Sequence, residues 1–183
     1  MSTPRAVFAA WLLLAALPPC AAASEVYIYS YDPLTPAART LTATGLSFQF
    51  ERGLLGAVRV QRVIQTGDLG SAGLKPAGEA ELGPGGLRAA LGDKRPAGPL
   101  YEILPDGDGR AFVHAVCPGA DKAWLLIGKL DRFKDLELQA VGRKPGEAAA
   151  HACSTMAFGF HSDLRLPDQE VPEAHIAPHA GPS

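Results

Sequence analysis

Cys117 and Cys153 each follow a histidine closely, and these four residues are the chain's best candidates for chemistry. His114-x-x-Cys117 and His151-x-Cys153 together offer two nitrogens and two sulfurs, the inventory of a tetrahedral zinc site or a copper site. The same cysteines are also the simplest disulfide for an exported chain. Strand parity favours the disulfide. His114 and Cys117 are an odd number of residues apart, so a regular strand points them to opposite faces, whereas His151 and Cys153 share one. A metal set of His114, Cys117, His151 and Cys153 needs a bulge near Pro118 to converge. No C-x-x-C is present, so a thioredoxin-like redox role has no motif behind it.

Other chemistries have weaker support. The chain has no G-x-S-x-G elbow, no S-x-x-K and no H-E-x-x-H. Ser154, His151 and Asp163 lie close in sequence, but Ser154 and His151 have opposite strand parity and should not face one another. Glu51, Glu102 and Glu137 read as single solvated carboxylates. Asp106 and Asp108 belong to a Pro-Asp-Gly-Asp-Gly run that lacks the ligand steps and closing glutamate of a calcium loop. Gly83-Pro84-Gly85-Gly86 fits neither phosphate-binding glycine spacing. In the tail, Pro178 spoils a helical arrangement of His175 and His179. Tyr27, Tyr29 and Tyr31 share one strand face and are expected to pack their rings on neighbours, and Trp124, which begins the most apolar strand, is expected in core or strand-end packing. No catalytic residue and no cofactor is assigned.

The elements that position these residues follow an exported start. Arg5, the apolar run Ala6–Leu17 and the small residues Ala21-Ala22-Ala23 have the order of a secretory signal peptide. The run is too short to cross a hydrocarbon core, which needs ~20 residues. Cleavage is expected after Ala23. A lipoprotein start at Cys20 is the minor alternative, because Pro18-Pro19 stands where a lipobox wants small residues. Asparagine is absent, so no N-glycosylation acceptor exists. Arginine and alanine outweigh lysine, which together with export suggests a bacterial periplasm. A net charge of −2 and the lack of a basic cluster leave no electrostatic footprint for nucleic acid.

Residues 24–166 read as one domain of short strands and many turns, given 20 glycines and 16 prolines. Strands are expected at 26–31, 46–51 and 54–65, where Val63 breaks the alternation and implies a bulge. Thr35-Pro36 reads as a helix start that Gly45 ends. Residues 67–98 read as irregular, with one short helix at 87–91. Further strands are expected at 100–104, 110–117, 123–130, 136–140 and 150–160, with a hairpin tip at 105–109. The four strands from Arg110 to Phe160 form an up-and-down set that brings Cys117 and Cys153 to one sheet edge. The acidic, proline-rich stretch 167–183 reads as disordered.

The fold class is therefore α+β, mostly antiparallel β, meander- or sandwich-like, with one or two short helices. By elimination the function is a non-catalytic, exported binding or envelope-associated module. Its partner would be a protein or a small molecule met through the glycine-rich middle loops, with no membrane span in the mature chain. Metal handling through the His/Cys set is the alternative.

Overall fold

The computed structural model describes residues 25–53, 55–65, 67–93 and 97–167. The leader at 1–23 and the tail beyond Pro167, including His175 and His179, lie outside the described residues. The strands are β1 (Glu25–Pro33), β2 (Leu46–Arg52), β3 (Val58–Gln65), β4 (Gly70–Pro76), β5 (Leu100–Ile103), β6 (Lys122–Ile127), β7 (Leu136–Arg143) and β8 (His151–Leu166). The helices are α1 (Pro36–Leu41), α2 (Gly86–Leu91) and α3 (Gly109–Val116), with a 3-10 turn at Glu79–Leu82.

Each strand is antiparallel to the next, and β8 returns to β1, so the sheet is a closed eight-stranded barrel. This is more specific than the expected meander or sandwich. The cause is the length of β8, which runs 16 residues, past Phe160 to Leu166. Its first half pairs with β7, from His151↔Gly142 to Phe158↔Leu136, and its second half with β1, from Phe158↔Pro33 to Leu166↔Val26. Closure turns the inward faces onto one core and pairs β1 and β8, which would otherwise be edge strands.

The inward positions fill that core. Tyr29 and Tyr31 of β1, Phe48 and Phe50 of β2 and Phe158 of β8 are all buried. Tyr29 meets Phe50 edge-on at 4.8 Å between centroids, and Tyr31 meets Phe160 at 5.8 Å. Such pairs add about 0.5–1.5 kcal/mol each beyond area burial. The outward positions of β2, Ser47, Gln49 and Glu51, are polar and half-buried. Three bulges adjust the register, and each inserts one residue: Gln61 in β3, His161 and Cys153 in β8. The first is the bulge implied by Val63, which it turns inward beside Val60.

Two stretches differ from the sequence reading. Residues 110–116 are helix, not strand, with Cys117 at the C-cap, and 105–108 lead into it rather than forming a hairpin tip. The buried positions Gly109, Phe112, Val113 and Val116 recur at helical spacing. Asp108 stands at the N-cap, and its carboxylate accepts from Ser71 N–H at 3.1 Å, tying the helix start to β4. Residues 67–98 are also more ordered than expected. They contain β4, the 3-10 turn and α2, the last at the predicted place. Leu82 and Leu87 pack on the outer barrel wall against Leu100, Trp124, Leu126 and Val141, which makes a second small core and buries Trp124 as expected. Helix α1 begins as predicted, with the Thr35 hydroxyl accepting from Ala38 N–H, but stops at Leu41. Gly45 instead serves the turn into β2, at φ +94° and against the Tyr31 carbonyl, where a Cβ has no room.

The Tyr31 hydroxyl is buried and meets no hydrogen-bond partner among the described residues. Burial pushes its phenol well above the ordinary value of about 10. The folded state therefore favours the neutral phenol: its contribution is intact below pH ~10 and is lost as pH rises above it, where the unfolded chain ionises first. Tyr31→Phe should lessen the alkaline loss of stability while changing stability at pH 7 by no more than about 1 kcal/mol. Urea unfolding of both proteins from pH 7 to 11 checks this.

Candidate functional site

The barrel has two unlike ends. At one, α3 lies across the opening with Phe112, Val113 and Val116 facing the core. The helix ends at Cys117, and Pro118-Gly119 prevents it from continuing. Cys153 is the inserted residue of the β8 bulge, which turns it from the strand toward Cys117. The two sulfurs stand at disulfide distance, with Cα atoms 5.1 Å apart. The expected juxtaposition is thus present, but by another route. A helix cap and a bulge bring the cysteines together, not the ends of four meandering strands.

His151 completes a cluster with the cysteines, their donor atoms all within 4.8 Å of one another. Its Nε2 is 3.9 Å from Cys117 Sγ and its Nδ1 is 3.3 Å from Glu147 Oε2. His114 does not join the cluster. It lines a separate surface groove with Arg110 and Asp121; three residues apart on a helix would share a face, but Cys117 has left helical geometry at the C-cap, at φ −146° and ψ 85°. Three of the four candidate metal ligands therefore converge. The bulge that matters lies in β8, not near Pro118.

Ser154, His151 and Asp163 do not converge. Ser154 Oγ donates to the Val116 carbonyl at 3.2 Å, which fastens α3 to β8, and Asp163 pairs with Arg132 at 3.1 Å. Glu102 is an ion-pair partner of Lys122 at 3.4 Å and Lys75 at 4.0 Å. The glycine-rich stretch at 83–86 joins the 3-10 turn to α2, on the outer wall.

The other barrel end holds a cleft of about 440 Å³. It arises from the strand pairing. β4 pairs with β3 only over Arg62–Gln65, then continues beside β5 alone. The start of β3 is left without that neighbour, and the Tyr101 hydroxyl accepts from Val60 N–H at 3.2 Å in its place. Val58 and Val60 face Tyr101 and Ile127 across the gap. The loop between β6 and β7 folds over the end, with Leu130 buried and Asp131 at the rim. Arg132–Asp163 and the Phe133–Phe160 ring contact at 5.3 Å pin this loop to β8. A hydrogen bond from Lys129, helped by Lys134, holds the Asp131 carboxyl below the usual range.

Arg52 supplies the cleft's unusual feature. It ends β2 and lines the cleft, with its guanidinium 5.4 Å from the Tyr27 ring centroid and 5.8 Å from that of Phe50. Its Nε is buried and meets no hydrogen-bond partner among the described residues. The nearby Glu25 carboxylate is hydrogen-bonded by Tyr27 and Arg165, and these contacts, with the charges of Arg165 and Arg52, lower its pKa. Sequence reasoning passed over Arg52, although a signal was there: Leu46, Phe48, Phe50 and Arg52 share one parity, so the apolar face of β2 ends in a cation.

No family model matches this chain, and neither a curated protein nor a solved structure is similar to it. A disulfide between Cys117 and Cys153 closes a loop with a sequence separation of 36. Such a link is worth about 3–4 kcal/mol. Replacing both cysteines with serine should lower the melting temperature by roughly 10 °C. An unchanged melting temperature in unreduced protein would show that the sulfurs carry no stabilising link.

Proposed function

We propose that this chain is an exported, non-catalytic binding module. Its ligand is a small molecule with an apolar body and one anionic group, held in the cleft at the open barrel end. The observation that carries this reading is Arg52, a cation with an unpartnered buried nitrogen beside an apolar cleft. Pockets for small molecules are mostly apolar with few oriented polar groups, and an eight-stranded barrel has room for one such ligand. A carboxylate or sulfonate would accept from the guanidinium, while Val58, Val60, Tyr101 and Ile127 contact the body. Asp131 at the rim is a carboxylate paired with Lys129 at 2.9 Å, which leaves Arg52 as the cation facing an anionic group. The leader at 1–23, cleavage after Ala23 and a Cys117–Cys153 bond formed in an oxidising compartment belong to the same reading.

Two measurements test it. The intact mass of unreduced protein recovered after export should correspond to a chain starting at Ser24 with the two cysteines linked. A start at Cys20 with added acyl mass, or two free thiols, would contradict it. Titration with 1-anilinonaphthalene-8-sulfonate, followed by displacement with a medium-chain fatty acid, should show one saturable site. Arg52→Leu should weaken the fatty acid about 10–100-fold, as expected for losing a charge-assisted pair, and leave the matching alcohol unaffected. Absence of saturable binding, or equal affinity in Arg52→Leu, would sink the proposal.

A further inference from the structure

The α3 end, remote from the cleft, carries a second arrangement that a disulfide does not explain. Glu147 Oε2 lies 3.3 Å from His151 Nδ1, and in the tautomer with its proton on Nδ1 the ring turns the Nε2 lone pair toward the sulfurs, 3.9 Å from Cys117 Sγ. A disulfide sulfur has no proton to give that lone pair and is only a weak acceptor. The ring orientation is therefore idle in the oxidised protein. It is productive once the bond is opened. The two thiolates and Nε2 then supply three donors, whose atoms lie within 4.8 Å of one another in the bonded form. Glu147 stands where a metal-binding histidine has its outer carboxylate partner.

Each donor is placed by the fold. Cys117 is fixed at the α3 C-cap and lies against β7 at Gly142, where any Cβ would collide with its sulfur. Cys153 is placed by the bulge, and Ser154 beside it is tied to α3. Cys117 is 1 % exposed, while His151 and Cys153 are half-buried, so the cluster has a closed inner side and an accessible outer one. Two thiolates and one imidazole suit zinc, with a fourth position left to solvent.

We propose that the dithiol form of this protein binds one zinc ion through Cys117, Cys153 and His151 Nε2, with Glu147 as the residue that positions His151. Opening the bond takes two equivalents of a small thiol. The protein sulfurs gain two electrons and two protons, and the thiols leave as their own disulfide. Zinc then displaces the two thiol protons. Disulfide and metal are mutually exclusive, so occupancy reports the redox state. The site is independent of the cleft ligand, and its failure would leave that reading untouched.

The test uses the full chain, reduced without oxygen by a small thiol, desalted and titrated with Co²⁺ in place of spectroscopically silent zinc. One equivalent should bind with sulfur-to-cobalt charge-transfer absorption and be displaced by zinc; the oxidised protein should show none. His151→Ala should weaken binding at least 10-fold, Glu147→Gln about 10–100-fold, and His114→Ala not at all. The proposal is overturned by equal affinity in His151→Ala, by equal binding to the oxidised protein, or by reduced protein that binds no cobalt. Circular dichroism of the reduced chain is read alongside, and loss of the β spectrum would count against the site as well.

Discussion

The return of β8 to β1 is the constraint on which the rest of this structure depends. One strand of 16 residues serves two neighbours, with Phe158 paired to Leu136 on one side and to Pro33 on the other. Without that overlap, β1 and β8 would be free edges, and the inward rings of Tyr29, Tyr31, Phe48 and Phe50 would face water. Closure instead gives them one another. Because the barrel is filled at mid-height by rings, its chemistry is confined to its ends, and the two ends are finished differently.

At one end a helix supplies the plug. Phe112, Val113 and Val116 bring the apolar stripe of α3 onto the core, and the chain leaves the helix at Cys117, next to the start of β8. The cysteine cluster is thus a by-product of how the barrel is sealed. At the other end the plug is a loop. β3 and β4 separate there, Tyr101 bonds the backbone that β4 no longer reaches, and Leu130 covers the core only in part. What remains is a cleft with a cation at its lip. The molecule therefore divides into an end sealed by α3, with Cys117 and Cys153 at disulfide distance beside it, and an end that holds an open cleft.

Much of the wall was legible in the chain itself. Leu46, Phe48 and Phe50 alternate with Ser47, Gln49 and Glu51, and the structure alternates with them; Val63 marks the β3 bulge; Thr35-Pro36 starts a helix. What was not legible is non-local. Closure depends on β8 continuing through polar residues such as Ser162 and Asp163, which carry little strand signal of their own but gain ladder partners in β1. Residues 110–117 misled because Phe112, Val113 and Val116 are compatible with a buried strand over so short a run, and only the barrel end selects helix. β4, with Gly70, Gly73 and Pro76, has poor intrinsic strand preference and is held by its neighbours. The nearness of the two cysteines was readable from their number and the exported start, while the separation of His114 from the cluster was not, since it follows from Cys117 leaving helical geometry at the C-cap. The cleft has no motif at all; only Arg52 on the apolar parity of β2 pointed to it.

The proposed ligand enters at the open barrel end and leaves the sealed end untouched. Amide chemical-shift mapping of the full-length protein with a medium-chain fatty acid tests it most directly. Saturable shifts should fall on Arg52, Val58, Val60, Tyr101 and Gly128–Asp131, and leave Val116, Cys117 and His151 in place. Shifts centred on α3 or on α2, or none at saturating ligand, would contradict it.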